Sequence, residues 1–296
     1  MLELFQPPMH LPGIEARIVL VLAFTAVAAY YDAFNKKWVP STLLYAFLIS
    51  AFAINLVFFQ TSIFIQAVAF GLAAFAISYP LYKTGQLGGA DVYAYSAIAM
   101  AIPYLPQPIF SPAQNVPYPF ILSALAPTGI VFIAHMLVRF FPYIAKRLKH
   151  EIKMDAQRLA PAAVVALAFL FFIYSISQSP AQIPLPYLAI LSFLFSSLLF
   201  FSIFKQEIKD SMVETIPISK AQPEDVLAIE KLDPKVVSSL RLSPVLDSQA
   251  ISAMRKAKIN KVPIYTKMPF FLPYLFFGVL FTILFGDLAF LILRSF

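Results

Sequence analysis

The sequence predicts an all-α polytopic membrane protein of about eight transmembrane helices, with a small α+β insert before the last of them. Three observations carry this. Of 296 residues, 60 % are hydrophobic and 12 % charged, about half the charged share of a soluble chain. Stretches of about 20 apolar residues, enough to cross roughly 30 Å of hydrocarbon, recur along the chain. The basic residues fall in alternate connections between those stretches. The same composition excludes an intrinsically disordered chain, which needs low hydrophobicity and high charge. With no Cys, a disulfide-stapled domain and a Cys-ligated zinc or iron–sulfur site are excluded as well.

In order, the apolar runs are Ile14–Tyr31, Val39–Phe59, Ser62–Tyr82, Val92–Leu105, Pro119–Phe141, Leu159–Ser177, Leu185–Phe204 and Phe270–Leu293. The first lacks a basic flank ahead of it and a small-residue cleavage site behind it, so it reads as a span and not as a removable signal peptide. The fourth is the shortest. The connection Pro103–Pro119 contains six prolines, which predicts extended, irregular backbone. Lys146–Arg158 is polar and basic, and reads as an extension of the fifth span or a surface segment. Spans six and seven form a hairpin across Pro180, Pro184 and Pro186.

Of the 22 basic residues, 20 lie on one side of this arrangement, and Arg17 and Arg294 are the exceptions. By the positive-inside rule that side is cytoplasmic, and both termini lie outside. The net charge of +7 is therefore an orientation signal, and no nucleic-acid partner is expected. Membrane lipids are, with Trp38 and neighbouring Tyr residues suited to the interfacial belt.

Residues 205–267 break the pattern, with eleven basic and eight acidic residues and no long apolar run. Met212–Ser219, Asp225–Leu232 and Val262–Thr266 read as strands. Ser248–Ile259 reads as a helix with Ser248 at its N-cap. The predicted division is thus a helical block over residues 1–204, a cytoplasmic insert over 205–268 and a C-terminal span over 269–296.

Three acids remain close to the hydrocarbon, where an ionisable group is costly and a functional candidate by default. Asp32 ends the first span and Asp91 opens the fourth, on the same side of the membrane. A complete helical hairpin separates them and returns the chain to the same leaflet. Asp287 lies 17 residues into the last span, about 25 Å across at 1.5 Å per residue, and reads as an outer helix-end acid. Gly88, Gly89 and Ala90 directly precede Asp91, and such small residues let backbone bend and a partner approach closely. Two carboxylates brought together cannot both ionise cheaply, so they share a proton. One then serves as base on a water attacking a peptide carbonyl, and the other as acid. That chemistry needs no cofactor and no metal.

These residues resemble the GxGD membrane aspartyl proteases, in particular the archaeal type IV prepilin and preflagellin peptidases. The matching pieces are Tyr31-Asp32 followed by Lys36-Lys37 and Val39-Pro40, and Gly88-Gly89-Ala90-Asp91-Val92 opening a helix. A long insert closing on Val262-Pro263 and Met268-Pro269-Phe270, and Gly286-Asp287 in the last span, are similar to the archaeal branch. Ala90 replaces the second Gly of the motif, and Tyr93 stands where many relatives carry Lys. The resemblance implies that Asp32 and Asp91 are the catalytic pair. It also implies that the substrates are prepilin- or archaellin-like precursors, cut at a class III signal peptide just inside the cytoplasmic face. Two spans intervene between the aspartates, unlike the consecutive arrangement in presenilin-like proteases.

Lys36, Lys37 and Lys83 read as topology determinants and headgroup contacts, and as weaker candidates for binding substrate. His135, within the fifth span, reads as a hydrogen-bonding partner of a neighbouring helix. The bland alternative pairs Asp32 with Lys36 and makes Asp91 an ordinary residue of a helix start. The rival functional class is an ion- or proton-coupled transporter using the same acids. Transporter sites lie near the midplane, commonly between repeated halves, whereas these acids lie at one edge and no repeat is present.

Overall fold

The structure, a computed structural model, describes residues 11–35, 39–114, 116–148, 156–178, 185–240, 242–266 and 268–294. Its helices are α1 (Ile14–Phe34), α2 (Ser41–Val57), α3 (Thr61–Lys83), α4 (Gly89–Ala101), α5 (Phe120–Leu148), α6 (Ala156–Ser177) and α7 (Leu185–Ile203). In the insert come α8 (Lys205–Met212), β1 (Val213–Pro217), α9 (Pro234–Leu240), α10 (Ser248–Lys256) and β2 (Lys261–Tyr265), and then α11 (Leu272–Phe285) and α12 (Leu288–Arg294).

This is a helical membrane protein. Among the described residues, α1, α3, α5 and α7 are long and apolar enough to cross a membrane, while α2, α11 and the Leu159–Ser175 part of α6 are apolar but shorter. These four long and three shorter apolar helices fall short of the eight full spans expected. At 13 residues, α4 rises only about 20 Å. It lies at the centre of the bundle, between α2 and α3, with Val92, Ala94 and Ser96–Ala101 all buried. Its run of Ala lets the two longer helices close around it, so it needs no full membrane thickness. The last predicted span is broken: Gly286, at φ 89°, ends α11, and Asp287 caps the start of α12. A positive φ suits Gly and ends helices.

α11 packs between α1 and α5. Val21, Phe47, Ala97, Ile98, Phe120 and Val279 belong to the core these helices share. A second apolar cluster joins α5 to α7 and α8 through Met136, Phe140, Ile144, Phe204 and Ile208. α6 and α7 pair, with Phe169 stacked on Phe195 at 4.2 Å between ring centroids.

The insert has its own core, including Leu227, Leu246, Ile251, Met254, Val262 and Ile264. β1 and β2 pair antiparallel, Val213 opposite Tyr265 and Pro217 opposite Lys261, as the sequence predicts for both. Asp225–Leu232 is not a full strand. Leu227 bridges only to Ile264 and Val226 only to Val245, and Ile229–Lys231 turns into a 3₁₀ helix. The polar residues there serve ion pairs instead, Lys209 to Glu230 at 3.4 Å and Lys231 to Asp210 at 2.7 Å, which tie α8 to that turn. Burial raises the Glu230 carboxyl, but hydrogen bonds from the Tyr265 hydroxyl and its own backbone, with the Lys209 charge, hold it below the ordinary value. The N-cap of α10 is Asp247, one residue before the predicted Ser248, and it accepts from the Ala250 N–H at 2.6 Å. Both residues are good caps, and only Asp247 has the extended backbone the role requires.

Candidate active site

Asp32 sits in the last turn of α1 and Asp91 in the first turn of α4. Both are buried, 8 % and 6 % exposed. α1 touches α4, and the charge of Asp32 acts on Asp91. The two acids that the sequence places on one face are thus brought to one end of the bundle.

The turn ahead of Asp91 is built in two steps. α3 ends in a Schellman arrangement, with Gly85 N–H donating to Tyr82 O at 2.9 Å and Gln86 N–H to Leu81 O at 2.9 Å. Gly85 takes φ 72° there, the left-handed conformation this motif needs. Then Gly88 N–H donates to Asp91 Oδ2 at 3.0 Å. A side chain on Gly88 would begin 3.0 Å from that same oxygen, so glycine is what lets the backbone donor reach the carboxylate. Gly89 lies against the Tyr82 ring, and Ala90 packs on the bundle core.

Asp32 has a partner that no local pattern reveals. Its Oδ2 accepts from the backbone N–H groups of Phe271 and Leu272, at 2.9 and 3.0 Å. These are the first donors of α11, which have no partner inside the helix and carry the positive end of its macrodipole. The insert therefore ends on the aspartate of α1. The insert also meets the turn before Asp91, where a side chain on Gly85 would lie 3.0 Å from Val226 and 3.5 Å from Pro244. Glu224 of the same insert loop acts electrostatically on Tyr82 and Tyr93.

Lys83 stands at the rim, its Nζ 5.4 Å from the Tyr79 ring centroid and 5.6 Å from that of Tyr82. Lys36 and Lys37, with Trp38, lie outside the described residues. His135 packs against Tyr274 and Phe270, with centroids 5.5 and 6.3 Å apart. Asp287 is at the opposite end of the bundle, as the residue count predicts. It accepts from the Tyr118 hydroxyl at 2.7 Å and from the Phe290 N–H at 3.0 Å, while its own N–H donates to Gln114 Oε1 at 2.7 Å. Burial, and then the bond to Asp287, push the Tyr118 phenol up to about 12. Among the described residues, no three His, Asp or Glu side chains are gathered as a metal-binding group.

Sequence reasoning missed two features. The Phe271 and Leu272 donors leave no signal, because they are backbone groups 239 and 240 residues from Asp32. Tyr95 does leave one, since it falls one helical turn after Asp91.

Two buried carboxyl groups thus lie at one end of a helical membrane bundle. Residues 19–142, from α1 to α5 and including both aspartates, match the model of the type IV leader peptidase family. Over that segment, 124 of the 296 residues, the chain is similar to this family. No curated protein and no solved structure matches the chain.

Proposed function

We propose that this protein is a membrane-embedded aspartic endopeptidase that cleaves the class III signal peptides of prepilin- or archaellin-like precursors. The observation that carries this reading is the burial of Asp32 and Asp91 together, inside the segment that matches the peptidase family.

In this reading the pair holds one proton between two carboxyl groups. Asp32, accepting from two backbone donors, is the base that takes a proton from the attacking water. Asp91 gives its proton to the carbonyl oxygen, forming a tetrahedral diol. The proton gained by Asp32 then passes to the departing amine as the C–N bond breaks, and one diol hydroxyl returns its proton to Asp91 as the carbonyl double bond reforms. Gly88 and Gly89 keep the approach to Asp91 narrow and free of side chains, which suits an extended peptide. The basic excess at this end of the bundle supports a cytoplasmic position for the site. Lys83 there meets lipid headgroups or the precursor. Residues 1–204 carry both aspartates, residues 269–296 supply the backbone donors to Asp32, and the insert over 205–268 packs on the turn before Asp91.

Co-expression with a pilin or archaellin precursor tests the reading. Wild type should convert the precursor to its shorter form, and Asp32→Asn and Asp91→Asn should each abolish conversion while still accumulating in membranes. Conversion by both variants would refute the dyad. Absence of conversion by wild type, together with proton flux lost in both variants, would favour the transporter class.

A further inference from the structure

Tyr95 stands four residues after Asp91 in α4. Side chains so spaced lie one above the other on a helix, about 5–6 Å apart at Cβ. The Tyr95 ring is partly buried and lies against Phe271, with centroids 5.9 Å apart and planes at 58°. Phe271 is the residue whose backbone N–H holds Asp32. On a further side Phe271 meets Phe132 of α5, at 5.5 Å. The phenol therefore stacks above one aspartate on its own helix and touches the residue that anchors the other. The charge of Asp91 acts on it. The next residues along that face, Ile98, Ala99 and Ile102, are buried and apolar, so a hydroxyl here has no evident role in the core.

Building on the assignment of Asp32 and Asp91 as the catalytic pair, we propose that Tyr95 is a third catalytic residue, whose hydroxyl donates a hydrogen bond to the substrate carbonyl oxygen as the tetrahedral carbon forms. The carbonyl oxygen gains negative charge as water adds, before Asp91 has fully passed its proton. A fixed donor in a site shielded from water is most effective at that moment. The phenol keeps its own proton throughout. It donates without transfer, and the proton balance of the two carboxyl groups is unchanged.

The test compares wild type, Tyr95→Phe and Tyr95→Leu as full-length protein in detergent, with a purified precursor as substrate. Tyr95→Phe keeps the ring against Phe271 and removes only the hydroxyl. We expect it to lower kcat by about 100- to 1,000-fold, the scale for loss of one such donor, with KM within about twofold and an unchanged thermal midpoint. Incorporation of a fluorinated tyrosine at position 95, a stronger donor of similar shape, should keep kcat at or above the wild-type value. Tyr95→Phe with wild-type kcat, and Tyr95→Leu impaired, would reduce Tyr95 to a packing residue and overturn the inference while the dyad stands. Cleavage that survives Asp91→Asn would overturn both.

Discussion

Arg17 is fully buried at the end of the bundle away from the aspartates. Its Nη1 donates to Asn55 Oδ1 at 2.8 Å and to Ala101 O at 2.7 Å, and its Nε to Pro12 O at 2.9 Å. Asn55 in turn donates to Met100 O at 3.0 Å and Ala51 O at 2.7 Å. The reason lies in the shortness of α4. Its last carbonyls face the protein interior, where no water reaches them and an unmet acceptor is costly. Arg17 and Asn55 serve as its C-terminal cap. By charge pattern alone Arg17 is a basic residue on the outer side. Arg17→Leu should destabilise the protein by about 4–5 kcal/mol, three hydrogen bonds from a charged group at about 1.5 kcal/mol each. Arg17→Lys should recover little of it, because an ammonium cannot reproduce the guanidinium fork. Thermal unfolding in detergent would measure both, and a wild-type midpoint for Arg17→Leu would contradict the capping role.

Among the elements, α11 positions the site because it seats closely on α5. At Gly278 a side chain would run into Thr128 and the Ala124 carbonyl of α5. Such small-residue contacts bring transmembrane backbones together. The Thr282 hydroxyl donates to Ser123 O at 3.3 Å one turn further on. Gly278→Val should force the helices apart, costing about 1–3 kcal/mol as overpacking does. Because α11 also presents the Phe271 and Leu272 donors to Asp32, cleavage should fall by more than stability alone explains. Gly129 of α5 is the contrast, with nothing within 4 Å of where a side chain would begin. Gly129→Ala should retain full cleavage and raise the melting temperature slightly, since Ala favours helix by up to about 1 kcal/mol. Equal loss in the two variants would show that packing at Gly278 is not special. Such seams are illegible in a hydropathy pattern, which records that α11 is apolar and not which side of it another helix approaches.

At the scale of the whole molecule, the insert links the two aspartates. One part packs on the turn before Asp91 through Val226 and Pro244, and its end runs into α11, whose first N–H groups hold Asp32. Val226→Arg should lift the insert from Gly85 and disturb that turn. We expect kcat/KM for the precursor to fall about 10- to 100-fold, as small misplacements of catalytic groups do, with membrane accumulation unchanged. Wild-type cleavage by this variant would make the insert a bystander. Much of this plan is readable from residues alone. Apolar run length marks the helices, the placement of Lys and Arg orders their ends, and scarcity of acids singles out Asp32 and Asp91. These signals are legible because transfer of a segment into lipid and the charge at its ends are properties of the segment, whatever surrounds it. The strand expected at Asp225–Leu232 failed for the converse reason, since its residues answer to ion pairs with α8. Likewise the donors at Asp32, the seating of Gly278 against Thr128 and the capping of α4 by Arg17 join residues far apart in the chain. Each is fixed by which surfaces meet after the helices have formed, and the free energy of such a meeting is written in no single stretch of sequence.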